Sequence, residues 1–211
     1  MQALKLISAP GADPVSLSEL KTYLRIDTSA DDTMLTNFIS AATRTVESFL
    51  NRKLITQTWD LWMDNFPSEF KIDALKDGVQ EGKLSEYLST KKVIQIPFFP
   101  LQSVTYLKTY DDDATEYTMP SSDYIVDTYS EPGRLSLKND RTWPTTFLRP
   151  VNGIQIRFIC GYGAAGSDVP KAINQAIMEL AGKFYSNRGC DDSSISSATM
   201  AILAPYRVMR I

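Results

Sequence analysis

Apolar positions along this chain form three helical stripes, and the stretch between the second and third alternates with a period of two. In VSLSELKTYLRID (15–27), Leu17, Leu20 and Leu24 recur at helical spacing, and Ser16 with Glu19 stand in capping-box register. Together these predict a helix over 17–25. Asp31 and Asp32 suit a second helix N-terminus, and Leu35, Phe38, Ile39, Ala42, Val46, Phe49 and Leu50 then mark one face. That stripe predicts a core helix over 33–51. A third helix is predicted over 170–186, with Pro170 at its first turn and Ile173, Ala176, Ile177, Leu180 and Phe184 on one side. Between the second and third helices lie runs of β-forming residues: LITQTWDLWM (54–63), VIQI (93–96), SVTYLKTY (103–110), DYIVDT (123–128), GRLSLK (133–138) and GIQIRFIC (153–160). Prolines 97 and 100, Asp111–Asp113, Pro120-Ser121-Ser122 and Glu131-Pro132-Gly133 supply the turns.

No helical pattern interrupts these runs, so they predict an antiparallel β-meander. The fold class is therefore α+β: a helical layer of two N-terminal helices and a C-terminal helix, with the meander inserted between them and a C-terminal arm. Four regions follow: a helical pair over 1–53, the meander over 54–160, the C-terminal core helix over 161–190, and a linker and arm over 191–211. Residues 67–92 are polar without a period and read as an exposed excursion, with Gln80–Lys92 its most mobile or partner-dependent part.

Composition narrows the function classes. With 43% hydrophobic residues in 211 the chain has enough to build a core. The net charge of −3 opposes a surface that grips nucleic acid throughout. The charge is uneven: residues 1–140 carry 14 Lys/Arg against 21 Asp/Glu, and residues 141–211 carry 8 against 4, so the last third suits an acidic partner. Two cysteines, Cys160 and Cys190, fit a reducing compartment better than a disulfide framework. The first residues hold no targeting segment and no run reaches membrane-spanning length, so a soluble protein made in the cytoplasm, without a membrane partner, is expected. Histidine is absent, which removes the commonest general base and metal ligand.

Several motifs invite chemistry. Gly161-Tyr162-Gly163-Ala164-Ala165-Gly166 has the GxGxxG spacing of a dinucleotide loop. Its helix starts too late, after Ser167–Pro170, for the helix amides to meet a pyrophosphate, so a connecting turn without a nucleotide is expected. Glu19-Leu20-Lys21 with Asp13 is reminiscent of metal-dependent nucleases, yet Glu19 sits where a capping carboxylate belongs. Asp111–Asp113 lacks the ligand spacing and glycine of a calcium loop and reads as a solvated hairpin tip. Cys160 has no histidine to activate it and reads as a small buried residue. Trp59, Trp62 and Trp143 suit either core or interface, core first. No catalytic, metal or cofactor residues are assigned.

The ordered set of segments resembles a known family. VSLSELKTYLRIDTSADDTMLTNFISAATRTVESFLNRKLITQTW (15–59), PFFPLQSVTYLKTYDDD (97–113), YIVDTYSEPGRLSL (124–137), IRFICGYGAAGSDVPKAINQAIMELAGKFYSNRG (156–189) and LAPYRVMRI (203–211) are similar to the head-tail connector (adaptor) proteins of long-tailed phages and prophages. Phe70–Lys92 departs from that pattern. The resemblance implies a structural subunit rather than an enzyme, without a cofactor. It implies a homo-oligomeric ring, dodecameric in the virion, that binds beneath the portal protein. Such a ring extends the channel through which DNA passes as cargo and offers a platform to a stopper or tail-completion protein. Its place would be the host cytoplasm during assembly and then the virion neck. Another neck or tail-completion protein is the nearest alternative. A nucleotide-binding enzyme built on Gly161–Gly166 is the alternative of a different class.

The C-terminal segment is the candidate partner-docking arm, namely Leu203, Pro205, Tyr206, Arg207, Met209 and Arg210. The polar run Asn187–Ser197 before it predicts an arm that swings away from the domain. Its residue types are those favoured at interfaces, and Arg207 and Arg210 are three apart. In the family this region reaches toward the portal. Folding back onto its own core is the competing expectation.

Overall fold

The stripe on the second predicted helix becomes the centre of a helical core. The computed structural model describes residues 2–67, 93–139, 141–144, 148–187 and 195–208. Residues 68–92 of the expected excursion, Cys190, Met209 and Arg210 lie outside that set. The chain divides into two units: one of residues 1–8, 58–97 and 101–159, the other of 9–57, 98–100 and 160–211.

The second of these holds the helices. Helix α1, Leu17–Leu24, starts at a complete capping box and ends at Arg25 in the left-handed region, whose N–H reaches the Lys21 and Thr22 carbonyls. Helix α2 runs Asp32–Leu50 and stops at Asn51, also left-handed at φ 56°. Helix α3 is Lys171–Asn187, and a short helix α4 is Ser197–Leu203. Leu35, Ile39, Val46 and Leu50 of α2 are buried with Ile173, Ala176, Ile177 and Leu180 of α3 and Leu20 of α1 in one cluster. Phe38 and Phe184 cap that contact with ring centroids 6.2 Å apart. Each large side chain fully withdrawn from water contributes about 1.5–3 kcal/mol, so the predicted helical layer is the main source of cohesion in this unit.

The other unit is built of strands: β1 Gln2–Ser8, β2 Gln57–Met63, β3 Val93–Gln95, β4 Leu101–Tyr110, β5 Glu116–Thr118, β6 Tyr124–Asp127, β7 Arg134–Leu137 and β8 Ile154–Cys160. One sheet has the order β1-β2-β8-β4-β5 and the other β3-β7-β6. The pairs β1–β2, β4–β5, β3–β7 and β6–β7 are antiparallel. The α+β class stands, with antiparallel strands between the helices, but the connectivity is richer than a consecutive meander. Strand β8 inserts between β2 and β4 rather than following β7. Alternation tells which residues share a face, not which strand lies beside which. Burial explains the central place of β8, whose Ile154, Ile156 and Phe158 are all fully buried. Strands β1 and β5 had not been expected. QALKLIS does not alternate cleanly, and three residues are too few to show a period.

Candidate assembly surfaces

Residues 195–208 lie along the helical unit. Ser196 caps α4 by accepting the Thr199 N–H at 3.0 Å, and its hydroxyl reaches Glu179 of α3 at 3.1 Å. Leu203 is fully buried in the helical core. A 3-10 turn at Ala204–Tyr206 follows, and Arg52 Nε donates to the Tyr206 carbonyl at 2.5 Å. Val208 N–H then reaches the Leu50 carbonyl at 3.1 Å, and the Arg207 guanidinium lies 4.8 Å from the centre of the Phe49 ring. Up to Val208 the segment is stitched to its own unit rather than standing off from it. Pro205 and Arg207 remain exposed, with Met200 and Ile202 beside them on the outward side.

The end of α2 borders a hollow of about 250 Å³ lined by Arg44, Glu47, Ser48, Asn51, Arg52, Lys53 and Phe98. Glu47 organises it. One carboxylate oxygen accepts the Leu54 N–H at 2.9 Å and Gln57 Nε2 at 3.2 Å, and the other holds Lys53 Nζ at 3.0 Å. The lining carries three cations against one carboxylate, a balance that favours an acidic group.

In the strand unit, one face of the five-stranded sheet carries a polar and aromatic network. Asp60 of β2 is buried and receives Arg157 of β8 through Nε at 2.7 Å and Nη2 at 2.8 Å, a bidentate pair. Gln155 Nε2 donates to Asp60 at 2.6 Å, and Tyr110 OH donates to Gln155 Oε1 at 2.6 Å. Arg157 also stacks over the Tyr106 ring at 5.1 Å, and Arg149 lies over Tyr110 at 4.7 Å and Trp62 at 5.8 Å. Burial raises the Tyr106 phenol above its ordinary value, and the charge of Asp60 adds to this. Sequence reasoning missed this network. Its one visible signal was an acidic residue inside the otherwise apolar run Trp59–Trp62.

The tempting motifs have structural roles. Gly161 has φ +126°, and a Cβ there would meet the Ile55 backbone at 2.6 Å. A Cβ on Gly163 would collide with Asp168, and one on Gly166 with the Pro14 carbonyl. Asp168 also accepts the Ala165 N–H at 3.0 Å. These glycines are required by close packing of the turn against Ile55, Asp168 and Pro14. Glu19 accepts the Ser16 N–H at 2.8 Å, and this bond holds its carboxyl below the usual range. Asp111 closes the β4–β5 turn by accepting the Thr115 N–H at 2.7 Å. Cys160 is buried, which pushes its thiol up to about 12. Trp143 stacks on Phe66 at 4.5 Å in the core, while Trp59 and Trp62 are half-buried. Among the described residues no acidic, cysteine or histidine group could hold a metal ion, and no helix is long and apolar enough to cross a membrane.

Residues 14–140 match the family described as Phage gp6-like head-tail connector protein, and the chain belongs to that family. Its role is that of a structural head-tail connector. No curated protein matches. Among solved structures, a chain from the neck of an empty GTA particle computed with C6 symmetry is similar at TM-score 0.77 and 19% identity, over 99% of this chain and 97% of that one. A chain from the virion of a native gene transfer agent (GTA) particle gives 0.75 and 19%, over 99% and 96%. A chain from the neck of a native GTA particle computed with C12 symmetry gives 0.73 and 19%, over 99% and 97%.

Proposed function

We propose that this chain is the repeating subunit of a ring in the neck of a tailed-phage or prophage-derived particle. The ring sits between the portal protein and a stopper or tail-completion protein, and DNA passes through it as cargo. The observation that carries this reading is the family match over 14–140, supported by likeness along nearly the whole chain to neck chains. The cyclic symmetry of those particles supports a closed ring, and twelve copies fit the C12 reconstruction. A closed ring needs two different patches on each subunit. A channel wall should hold DNA weakly, because every neutralised phosphate adds salt-dependent affinity. The net charge of −3 suits that requirement. The test is to remove the gene from a producing strain. Filled heads without tails should accumulate, and the full chain should restore tailed particles with a ring in the neck. Tailed particles formed at normal yield without the chain would overturn the reading.

Portal docking falls to Pro205, Tyr206, Arg207, Met209 and Arg210 of the C-terminal segment, with Leu203 as its buried anchor. Point changes test this better than truncation, which would also remove the Tyr206 carbonyl that Arg52 binds. Arg207→Glu combined with Ile202→Asp should lower the melting temperature of the free subunit by only about 2–4 °C, the cost of the Arg207 contact with the Phe49 ring, and cut attachment to portal-bearing heads at least tenfold. Normal attachment would refute the docking assignment.

A further inference from the structure

Both outer strands of the five-stranded sheet are exposed, and each holds large apolar or aromatic side chains in water beside its polar ones. All seven residues of β1 are exposed, with Leu4 at 39%, Leu6 at 42% and Ile7 at 39%. At the opposite edge all three residues of β5 are exposed, and Tyr117 reaches 56%. An edge strand presents a row of unpaired N–H and C=O groups, and natural proteins blunt it with proline, charge or cover. Strand β1 has no proline and one lysine. An open apolar edge of this length is suited to accepting another strand.

We propose that successive copies of this chain join edge to edge, β1 of one subunit adding to β5 of the next, so that the five-stranded sheet continues around the ring. The inference rests on the ring reading above and names its subunit contact.

The side-chain register favours this occupant. Partners opposite one another in an antiparallel ladder point to the same face. Lys5 is opposite Asp60, and Glu116 is opposite Tyr110. Gln155 bonds to both Asp60 and Tyr110, so Lys5 and Glu116 share the polar face. Leu4 is opposite buried Leu61, and Tyr117 is opposite buried Thr109, so these two share the other face. Continuing the sheet without turning it over therefore sets Lys5 beside Glu116, and Tyr117 beside Leu4 and Leu6. Charge meets opposite charge on one face and apolar meets apolar on the other. Glu116 already holds Lys108 at 2.8 Å, but its side chain is 54% exposed and open to a second cation. Pairing β1 with another β1 would give a two-fold dimer and stop there. Pairing two different edges repeats until the ring closes. Strand β5 offers three residues, so a single contact is weak, and closure, where each subunit makes two, stabilises the assembly.

The test uses the full chain in a Cys190→Ser background, assembled on portal-bearing heads. Leu6→Cys and Tyr117→Cys together should, on mild oxidation, give a ladder of covalent multimers on a non-reducing gel. Either change alone should give none. Lys5→Glu should lower ring yield at least tenfold, and adding Glu116→Lys should recover most of it. Circular dichroism of each free subunit separates a failed contact from a failed fold, and the charge variants alone decide the matter if Leu6→Cys unfolds. Rings visible by electron microscopy without cross-linking, and formed equally by Lys5→Glu, would overturn the edge contact while leaving the ring intact. Covalent dimers from Leu6→Cys alone would overturn it in favour of a two-fold pair. No neck ring from the unmodified chain would overturn the ring reading and the inference with it.

Discussion

At the scale of single residues, polar groups matter here for the bonds they satisfy. Asp127 accepts the Ser130 hydroxyl at 2.6 Å, Arg134 through Nη2 at 2.7 Å, and the backbone N–H groups of Tyr129 and Ser130. The Ser130 hydroxyl bond, then Arg134, hold its carboxyl well below the ordinary range. A depressed carboxyl stabilises the fold above its unfolded value of about 3.9 and loses that contribution as pH falls toward the folded value. Asp127→Asn should therefore melt lower than the parent by a constant margin from pH 7 to 5. The margin should close below about pH 4. An equal gap at pH 2.5 would count against this account. Asp60 is the costlier position. Asp60→Ala leaves Arg157 without its bidentate partner, and because the Arg157 side chain is 29% exposed the expected loss is about 2–4 kcal/mol, read by urea denaturation. Cys160 illustrates burial without chemistry. With its thiol at about 12, iodoacetamide at pH 8 should label the Cys160 peptide only after unfolding, as mapped by mass spectrometry.

At the scale of elements, legibility followed local information. Ser16 and Glu19 announced the start of α1, and both arms of the box form, at 3.2 Å and 2.8 Å. Ser16→Ala should cost about 1 kcal/mol in chemical denaturation, and no change in midpoint would show that the cap is redundant. The stripes of α2 and α3 gave helix ends to within a residue because each turn repeats the same solvent-or-core decision. Strand positions were legible for the same reason, but strand neighbours were not. The place of β8 depends on contacts distant in sequence, which no window of residues contains. Strand β1 was missed because Leu4, Leu6 and Ile7 are exposed, so burial did not shape an alternating pattern. The C-terminal segment left two expectations open for a related reason. Its polar approach suggested a free arm, while the buried Leu203 and the Arg52 bond to the Tyr206 carbonyl tie it down from partners about 150 residues away, out of reach of local reading.

At the scale of the whole molecule, the family match and the architecture have different extents, and the difference is testable. The match covers residues 14–140. That segment lacks β8, the strand between β2 and β4, and it lacks α3, whose Ile173, Ile177 and Leu180 are buried with the α2 stripe. It also lacks β1. Cutting the chain to 14–140 would thus remove the middle of the five-stranded sheet and half of the helical core. Leu35, Ile39, Val46 and Leu50 would face water, and the edges of β2 and β4 would be open. Losing this many large buried contacts exceeds the 5–15 kcal/mol by which domains are usually stable. The expected outcome is that residues 14–140, expressed alone, show no cooperative melt, bind a hydrophobic dye and aggregate, while the full chain melts cooperatively. On this account both units need the last third of the chain, and that segment carries the basic excess and the residues proposed to dock. Assembly would then be confined to finished chains, since a nascent subunit lacks both its core and its C-terminal surface. A sharp, reversible melt of the 14–140 fragment would refute this coupling.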